Sequence, residues 1–218
     1  MAYGVRVEIW GDYACYSRPE LKVERVSYDV MTPSSARGIL EAVFWHPGLK
    51  YIIDEIAVCA PIRYENIRRN EVNSKASKQT PYIAAAADRA QRAALVLKNV
   101  RYVVSAHFEM TDEAGERDNT GKFAEMLKRR LAKGQTFHTP YLGTREFPAN
   151  LRLIDDDGGC APASIKETRS LGLMLYDIEY DKSVGTDGRE EVTAFRPTYF
   201  IAEMKNGIVD LRGVEVLR

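Results

Sequence analysis

Residues 101–133, RYVVSAHFEMTDEAGERDNTGKFAEMLKRRLAK, decide the fold. The β-branched and aromatic content of Arg101 to Glu109 predicts a strand. Asp118-Asn119-Thr120-Gly121 then offers side chains that cap free backbone N–H groups, so a helix is expected from Lys122 to about Lys133. Phe123, Met126, Leu127 and Leu131 form its apolar face, Lys128, Arg129 and Arg130 fall largely outside it, and Gly134 closes it.

Working outward, the N-terminal part repeats this strand and helix order. Tyr3 to Trp10 alternates apolar and polar residues as a half-buried strand does, ending at Gly11-Asp12. Thr32-Pro33-Ser34-Ser35 starts a helix, with a capping threonine and a proline whose missing N–H costs nothing at the first helical position. That helix runs from Ala36 to about Trp45, with Ile39, Leu40, Val43 and Phe44 on one stripe, and stops before Pro47-Gly48. Tyr51 to Val58 is a strand candidate, Arg63 to Thr80 reads as a polar basic loop, and Pro81 to Val100 suits helix or strand. Further strands are expected at Glu146–Ile154, Leu171–Tyr180 and Val192–Met204, with a turn at Thr186-Asp187-Gly188.

The order is β-α-β, a basic excursion, then β-α-β, the split pattern of a ferredoxin-like fold. The expected architecture is α+β: a ferredoxin-like N-terminal domain over 1–158, carrying a basic loop insertion at 63–80, and a small antiparallel β-rich C-terminal domain over 159–218.

Composition narrows the function classes. The chain has 218 residues, 45% of them hydrophobic and 28% charged, which suits a folded protein with a real core rather than a disordered one. No apolar run approaches the roughly 20 residues that cross a bilayer. No secretory signal is legible at the N-terminus, so a cytoplasmic setting is expected. Three well-separated cysteines, Cys15, Cys59 and Cys160, make neither a disulfide framework nor a zinc site. Lys plus Arg and Asp plus Glu both number 31, for a formal net charge of zero. The signs are not evenly mixed: basic residues dominate from Arg63 to Arg101, and acidic residues dominate from Asp155 to Glu191. Such a chain can offer a polyanion a basic face while titrating as neutral.

Several segments carry a more specific likeness. They are Gly11-Asp12-Tyr13-Ala14, the run Lys22 to Val30, Pro33 through Glu41 on to Trp45-His46-Pro47, Arg68 to Val72, Ala106 to Glu109, and Leu142 to Phe147. In order and spacing the chain resembles the CRISPR-associated Cas5d proteins of subtype I-C, within the RAMP superfamily, and the resemblance spans essentially its whole length. It implies an endoribonuclease that cuts the repeat hairpin of precursor CRISPR RNA and then remains with the other subunits of the subtype I-C interference complex. The implied chemistry needs no metal and no cofactor. A base takes the 2′-OH proton, the oxygen attacks phosphorus, a cation steadies the developing charge, and an acid protonates the 5′-oxygen. Asp155-Asp156-Asp157 is the one carboxylate cluster, better read as a solvated turn than as a metal site.

The family's tyrosine, lysine and histidine fall here on Phe44, Lys122 and Phe123. Only the cation remains, and phenylalanine carries no proton. Cleavage therefore uses other residues, is weak, or does not occur in this member. His46 is the first replacement candidate, provided the helix ends before it, because residues two apart on a helix do not share a face. His107 reads as a core histidine, while nothing discriminates for His138. Lys122 at a helix start opposes the macrodipole, and a phosphate would explain its placement.

Phosphate contacts are expected from Arg68, Arg69, Lys75 and Lys78, with Lys22, Arg25 and Arg37 near the first helix and Lys128 and Arg129 on the second. Trp10, Tyr13, Tyr16 and Tyr64 are available to stack on splayed bases. A non-catalytic guide-RNA subunit and a duplex-DNA binder are the competing functions.

Overall fold

A computed structural model describes residues 4–21, 23–79, 82–154, 161–184 and 190–218. The elements are β1 (Gly4–Ala14), β2 (Arg25–Val26), α1 (Pro33–Val43), β3 (Leu49–Val58), β4 (Tyr64–Val72), β5 (Arg89–Met110), α2 (Thr120–Ala132), β6 (Asn150–Leu153), β7 (Arg169–Val184), β8 (Glu190–Met204) and β9 (Ile208–Asp210). Among the described residues the chain is therefore mostly sheet, with two helices. No helix among them is long and apolar enough to cross a membrane.

The main sheet runs β6-β1-β5-β3-β9, and its neighbours are antiparallel. Alternation along β1 sends Val5, Val7 and Ile9 to the core, where they meet Val104, Ala106 and Phe108 of β5 and Tyr51, Ile53 and Ile56 of β3. Both helices close this face: α1 buries Ile39, Leu40 and Val43, and α2 buries Phe123, Leu127 and Leu131. Their starts follow local chemistry. Thr32 accepts from the Ser35 N–H ahead of Pro33, and Asn119 accepts from the Lys122 N–H. The C-terminal segment forms the long β7–β8 hairpin and returns β9 to the edge of the main sheet beside β3.

One expectation needs correcting. The segment 63–80 is not simply a loop: β4 pairs with β5 over nine positions, from Tyr64↔Leu97 to Val72↔Arg89. Alternate residues Glu65, Ile67, Arg69 and Glu71 are half-buried; Ile67 packs against the core, and ion pairs flank it on that side. Glu71 lies between Arg25 (2.7 Å) and Arg92 (3.5 Å), and Glu65 meets Lys98 at 2.5 Å. Of the two states open to 81–100, the structure takes strand from Arg89 on. Ladders to β1, β2, β3 and β4 along β5 outweigh its helix propensity, which survives as one turn in which Ala87 and Asp88 donate to the Ala84 carbonyl. At Asn99, with φ of 52°, β5 bends from the main sheet into this β4–β5 arm.

The turn at 186–188 and the Asp155–Asp157 cluster lie outside the described residues.

Candidate RNA-processing site

The site is built where α1 ends. The last helical residue is Val43, and Phe44 is already extended. In extended chain, alternate side chains share a side, so Phe44 and His46 both face the start of α2. The condition set for His46 by the sequence is met. Phe123, almost fully buried, receives both rings: its centroid lies 5.8 Å from that of Phe44 and 4.8 Å from that of His46. Phe44 is fixed from behind. Its carbonyl accepts from the Tyr51 hydroxyl at 2.8 Å, and the Arg130 guanidinium lies over its ring at 5.2 Å while donating to the Val43 carbonyl. Burial pushes the Tyr51 phenol well up, so it stays a neutral donor.

Asp118 organises the polar half. Its Oδ1 accepts from Lys122 Nζ at 2.9 Å, its Oδ2 accepts from the Gly115 N–H at 3.0 Å, and the same Oδ2 lies 3.7 Å from His46 Nε2. The Lys122 ammonium, then the Gly115 N–H, hold the Asp118 carboxyl below the usual carboxylate range. The sequence reading placed Asp118 in the helix-opening run and gave it no part in the site. The available signal was its place four residues before Lys122, at a helix start where acids are favoured. That partner also answers the puzzle of a lysine at a helix N-terminus, since Asp118 supplies the anion.

Gly48 brings the two halves together. A Cβ there would stand 2.7 Å from Ala114 Cα, so only glycine lets this turn lie against the 111–118 loop. Thr111 ties the same contact, its hydroxyl donating to the Pro47 carbonyl and its N–H to the Gly48 carbonyl. The Gly48 N–H in turn donates to His46 Nδ1 at 3.1 Å. A neutral ring accepting at Nδ1 carries its proton on Nε2, the nitrogen facing Asp118.

The expected phosphate-contacting residues do not gather in one place. Arg68, Lys75 and Lys78 lie on or near the β4–β5 arm, exposed, and among the described residues none has an acid within ion-pair distance. Arg69, on the same arm, is paired with Glu146 and lies over the Phe147 ring at 5.3 Å. Arg25 is paired with Glu71. Arg68 sits opposite Ala93, whereas the Lys122 site adjoins the other end of β5, where Leu49 meets Met110. Seventeen residues of strand separate them, about 55 Å along β5. Lys128 and Arg129 are exposed on α2 itself, two turns from Lys122. Lys22 lies outside the described residues.

Arg37 is committed elsewhere. It grips Asp177 of β7 through Nε (3.1 Å) and Nη2 (2.7 Å) and Glu41 through Nη1 (2.6 Å), fastening α1 to the long hairpin. Burial disfavours its charge, but the two carboxylates more than offset that and raise its pKa. His107 faces away from the core that Ala106 and Phe108 enter. Its Nδ1 meets Asp54 at 2.8 Å, so it is satisfied there rather than in the core. No group of three or more His, Cys, Asp or Glu among the described residues is arranged to hold a metal ion.

Comparison with known proteins places this architecture. A solved structure titled as a CRISPR-associated protein superposes with a TM-score of 0.68 at 19% identity, over 96% of this chain and 92% of that one. SMU1763c from Streptococcus mutans, described as functionally uncharacterized, gives 0.67 at 20% identity with the same coverage. These define the class by fold. The chain belongs to the Cas5d family, whose profile, described as CRISPR-associated protein (Cas_Cas5), matches residues 4–212. Two relatives carry the name CRISPR pre-crRNA endoribonuclease Cas5d. The one from Mannheimia succiniciproducens is 46% identical over 97% of this chain and 96% of its own. The one from Thermus thermophilus is 41% identical over 95% and 90%.

Proposed function

We propose that this chain cuts the repeat hairpin of precursor CRISPR RNA without a metal ion or cofactor, and stays bound to the guide as a subunit of the subtype I-C interference complex. The observation that carries the reading is the convergence of His46, Asp118 and Lys122 around Phe123: Lys122 keeps the family's cation, and His46 lies beside Phe44 and Phe123, where the family's tyrosine and histidine fall. Near-full-length identity to two proteins named as pre-crRNA endoribonucleases supports it. The finer fold description belongs to the same reading. Strands β6-β1-β5-β3, with α1 between β1 and β3 and α2 between β5 and β6, have the order and antiparallel sense of a ferredoxin-like unit. The β7–β8 hairpin would then be the C-terminal β-rich part.

In this reading the 2′-oxygen loses its proton and attacks the adjacent phosphorus, the bond from phosphorus to the 5′-oxygen breaks, and that oxygen takes a proton. The product ends are a 2′,3′-cyclic phosphate and a 5′-hydroxyl. Lys122, half-exposed, turns from Asp118 toward the non-bridging oxygens as charge builds on them. His46 is the proton carrier. Serving as acid requires a proton on Nδ1 as well as Nε2, and serving as base requires the Nε2 lone pair. Either role releases the Gly48 N–H from Nδ1. Phe44 and Phe123 transfer no proton; they hold the His46 ring. Phosphate contacts beyond the site are assigned to Lys128 and Arg129 on α2, and to Arg68, Lys75 and Lys78 on the distant arm.

The buried Phe44–Phe123 contact favours a second reading, a non-cutting subunit that grips guide RNA or duplex DNA. Incubation with the host's own repeat RNA in EDTA at enzyme excess separates the two. Cleavage with a terminal cyclic phosphate is expected. Tight, salt-sensitive binding without product would establish the second reading, and competition by unrelated duplex DNA would identify the ligand.

A further inference from the structure

Along the solvent side of α1 runs a groove of about 810 Å³, lined by Gly38, Ala42, Trp45, Phe137, Tyr141 and Arg145. Its rings are wet: Phe137 is 72% exposed, Trp45 60% and Tyr141 39%. They are also held in place. The N–H groups of Phe137 and His138 both donate to the Ala42 carbonyl, at 2.7 and 3.2 Å, anchoring the 137–138 segment to the end of α1. Glycine inside a helix costs roughly 1 kcal/mol against alanine. At Gly38 nothing in the packing calls for it, because an added Cβ would meet no atom within 4 Å. What its missing side chain does is leave the groove floor open.

We propose that this groove receives the unpaired nucleotides of the RNA beside the cleaved bond, stacked on Trp45 and Phe137. This rests on the reading of the chain as an RNA-processing protein and adds a subsite to it. Charge favours a polyanion as occupant. Arg145 on the rim has no acid within ion-pair distance among the described residues, while Glu41 on the wall is already matched by Arg37 at 2.6 Å. Position favours a strand that continues into the cutting site. Trp45 stands between Phe44 and His46 in the chain, yet its exposed ring lines this groove while theirs pack on Phe123. RNA crossing the end of α1 passes from one ring to the other. Stacking on exposed aromatic rings is sequence-tolerant and holds single-stranded bases, not a closed duplex.

The chain has two tryptophans, so Trp10→Phe in the full-length protein leaves Trp45 as the sole reporter. A short unstructured RNA is expected to quench its emission saturably, and a blunt duplex of the same length is not. Trp45→Ala and Phe137→Ala each weaken binding of that RNA about tenfold. Gly38→Leu, which fills the groove, weakens it comparably while raising the melting temperature, so misfolding does not account for the loss. Unchanged Trp45 emission on RNA binding, with wild-type affinity in Gly38→Leu and Trp45→Ala, overturns the proposal and leaves the groove to a protein segment. If the wild type cuts its repeat and the groove variants bind and cut alike, the groove alone is refuted. If quenching occurs but no cut is ever seen, the endoribonuclease reading fails and the groove stands.

Discussion

His46 Nε2 lies 3.7 Å from Asp118 Oδ2, and the other oxygen of that carboxylate holds Lys122 at 2.9 Å. One carboxylate thus sits between His46 and Lys122, and in the proposed mechanism it competes with the RNA phosphate for the Lys122 ammonium.

Asp118→Asn is therefore expected to split two effects. Without the carboxylate, Lys122 meets phosphate unopposed, so RNA binds a few-fold tighter. Cleavage slows about tenfold or more, because the His46 ring loses the group that faces it. Filter binding and single-turnover cleavage on the same samples read the two effects separately.

The same residue makes a pH prediction. Its folded pKa lies below the unfolded value of about 3.9, so folding favours the ionised form. That contribution to stability is present above about pH 4 and is lost as pH falls through the folded pKa. Asp118→Asn should lose less stability than the wild type over that acidic range and show the wild-type dependence above it, as read by urea unfolding at stepped pH.

On the basic arm, Arg68 stands about 55 Å along β5 from the strand end that adjoins the Lys122 site, and Lys75 and Lys78 follow β4. Replacing all three by alanine should weaken RNA binding and flatten its salt dependence by roughly 0.7–0.9 in log–log slope per lost phosphate contact. Cleavage at saturating enzyme should not change. A slowed saturated rate would place the arm in the chemistry.

Arg37, proposed from sequence as a phosphate contact, should behave as a structural tie. Arg37→Ala leaves Asp177 and Glu41 facing each other without their cation and should cost about 2–3 kcal/mol in denaturant unfolding. The salt slope of RNA binding should match the wild type.

How much of this was legible in the sequence depends on how local each signal is. Both helices were, because Thr32, Pro33 and Asn119 act on their own first turns and the apolar stripes repeat within the helix. Strand β4 was not. Its nine residues are mostly polar, and what holds them is the ladder to residues 89–97 and charge pairs such as Glu71 with Arg25, 46 positions away. Of the basic residues that suggested a loop, Arg69 is paired with Glu146 while Arg68, Lys75 and Lys78 are exposed; the cross-strand ion pairs are made by the arm's acids, Glu65 and Glu71. Lys122 was legible from the family pattern and His46 as a nearby replacement for its missing proton carriers, but their common partner was not. Asp118 reads as a helix-opening acid until the fold brings His46 across to it.

The central claim is that Lys122 acts on the reacting phosphate rather than merely helping to hold the RNA. The most direct measurement is single-turnover cleavage of the host repeat in EDTA by wild type and Lys122→Ala, with RNA affinity measured on both. The prediction is a rate loss of about 10²-fold or more at saturating enzyme, with affinity changed no more than a few-fold. A variant that cuts at the wild-type rate once saturated, or a loss wholly explained by weaker binding, would contradict it.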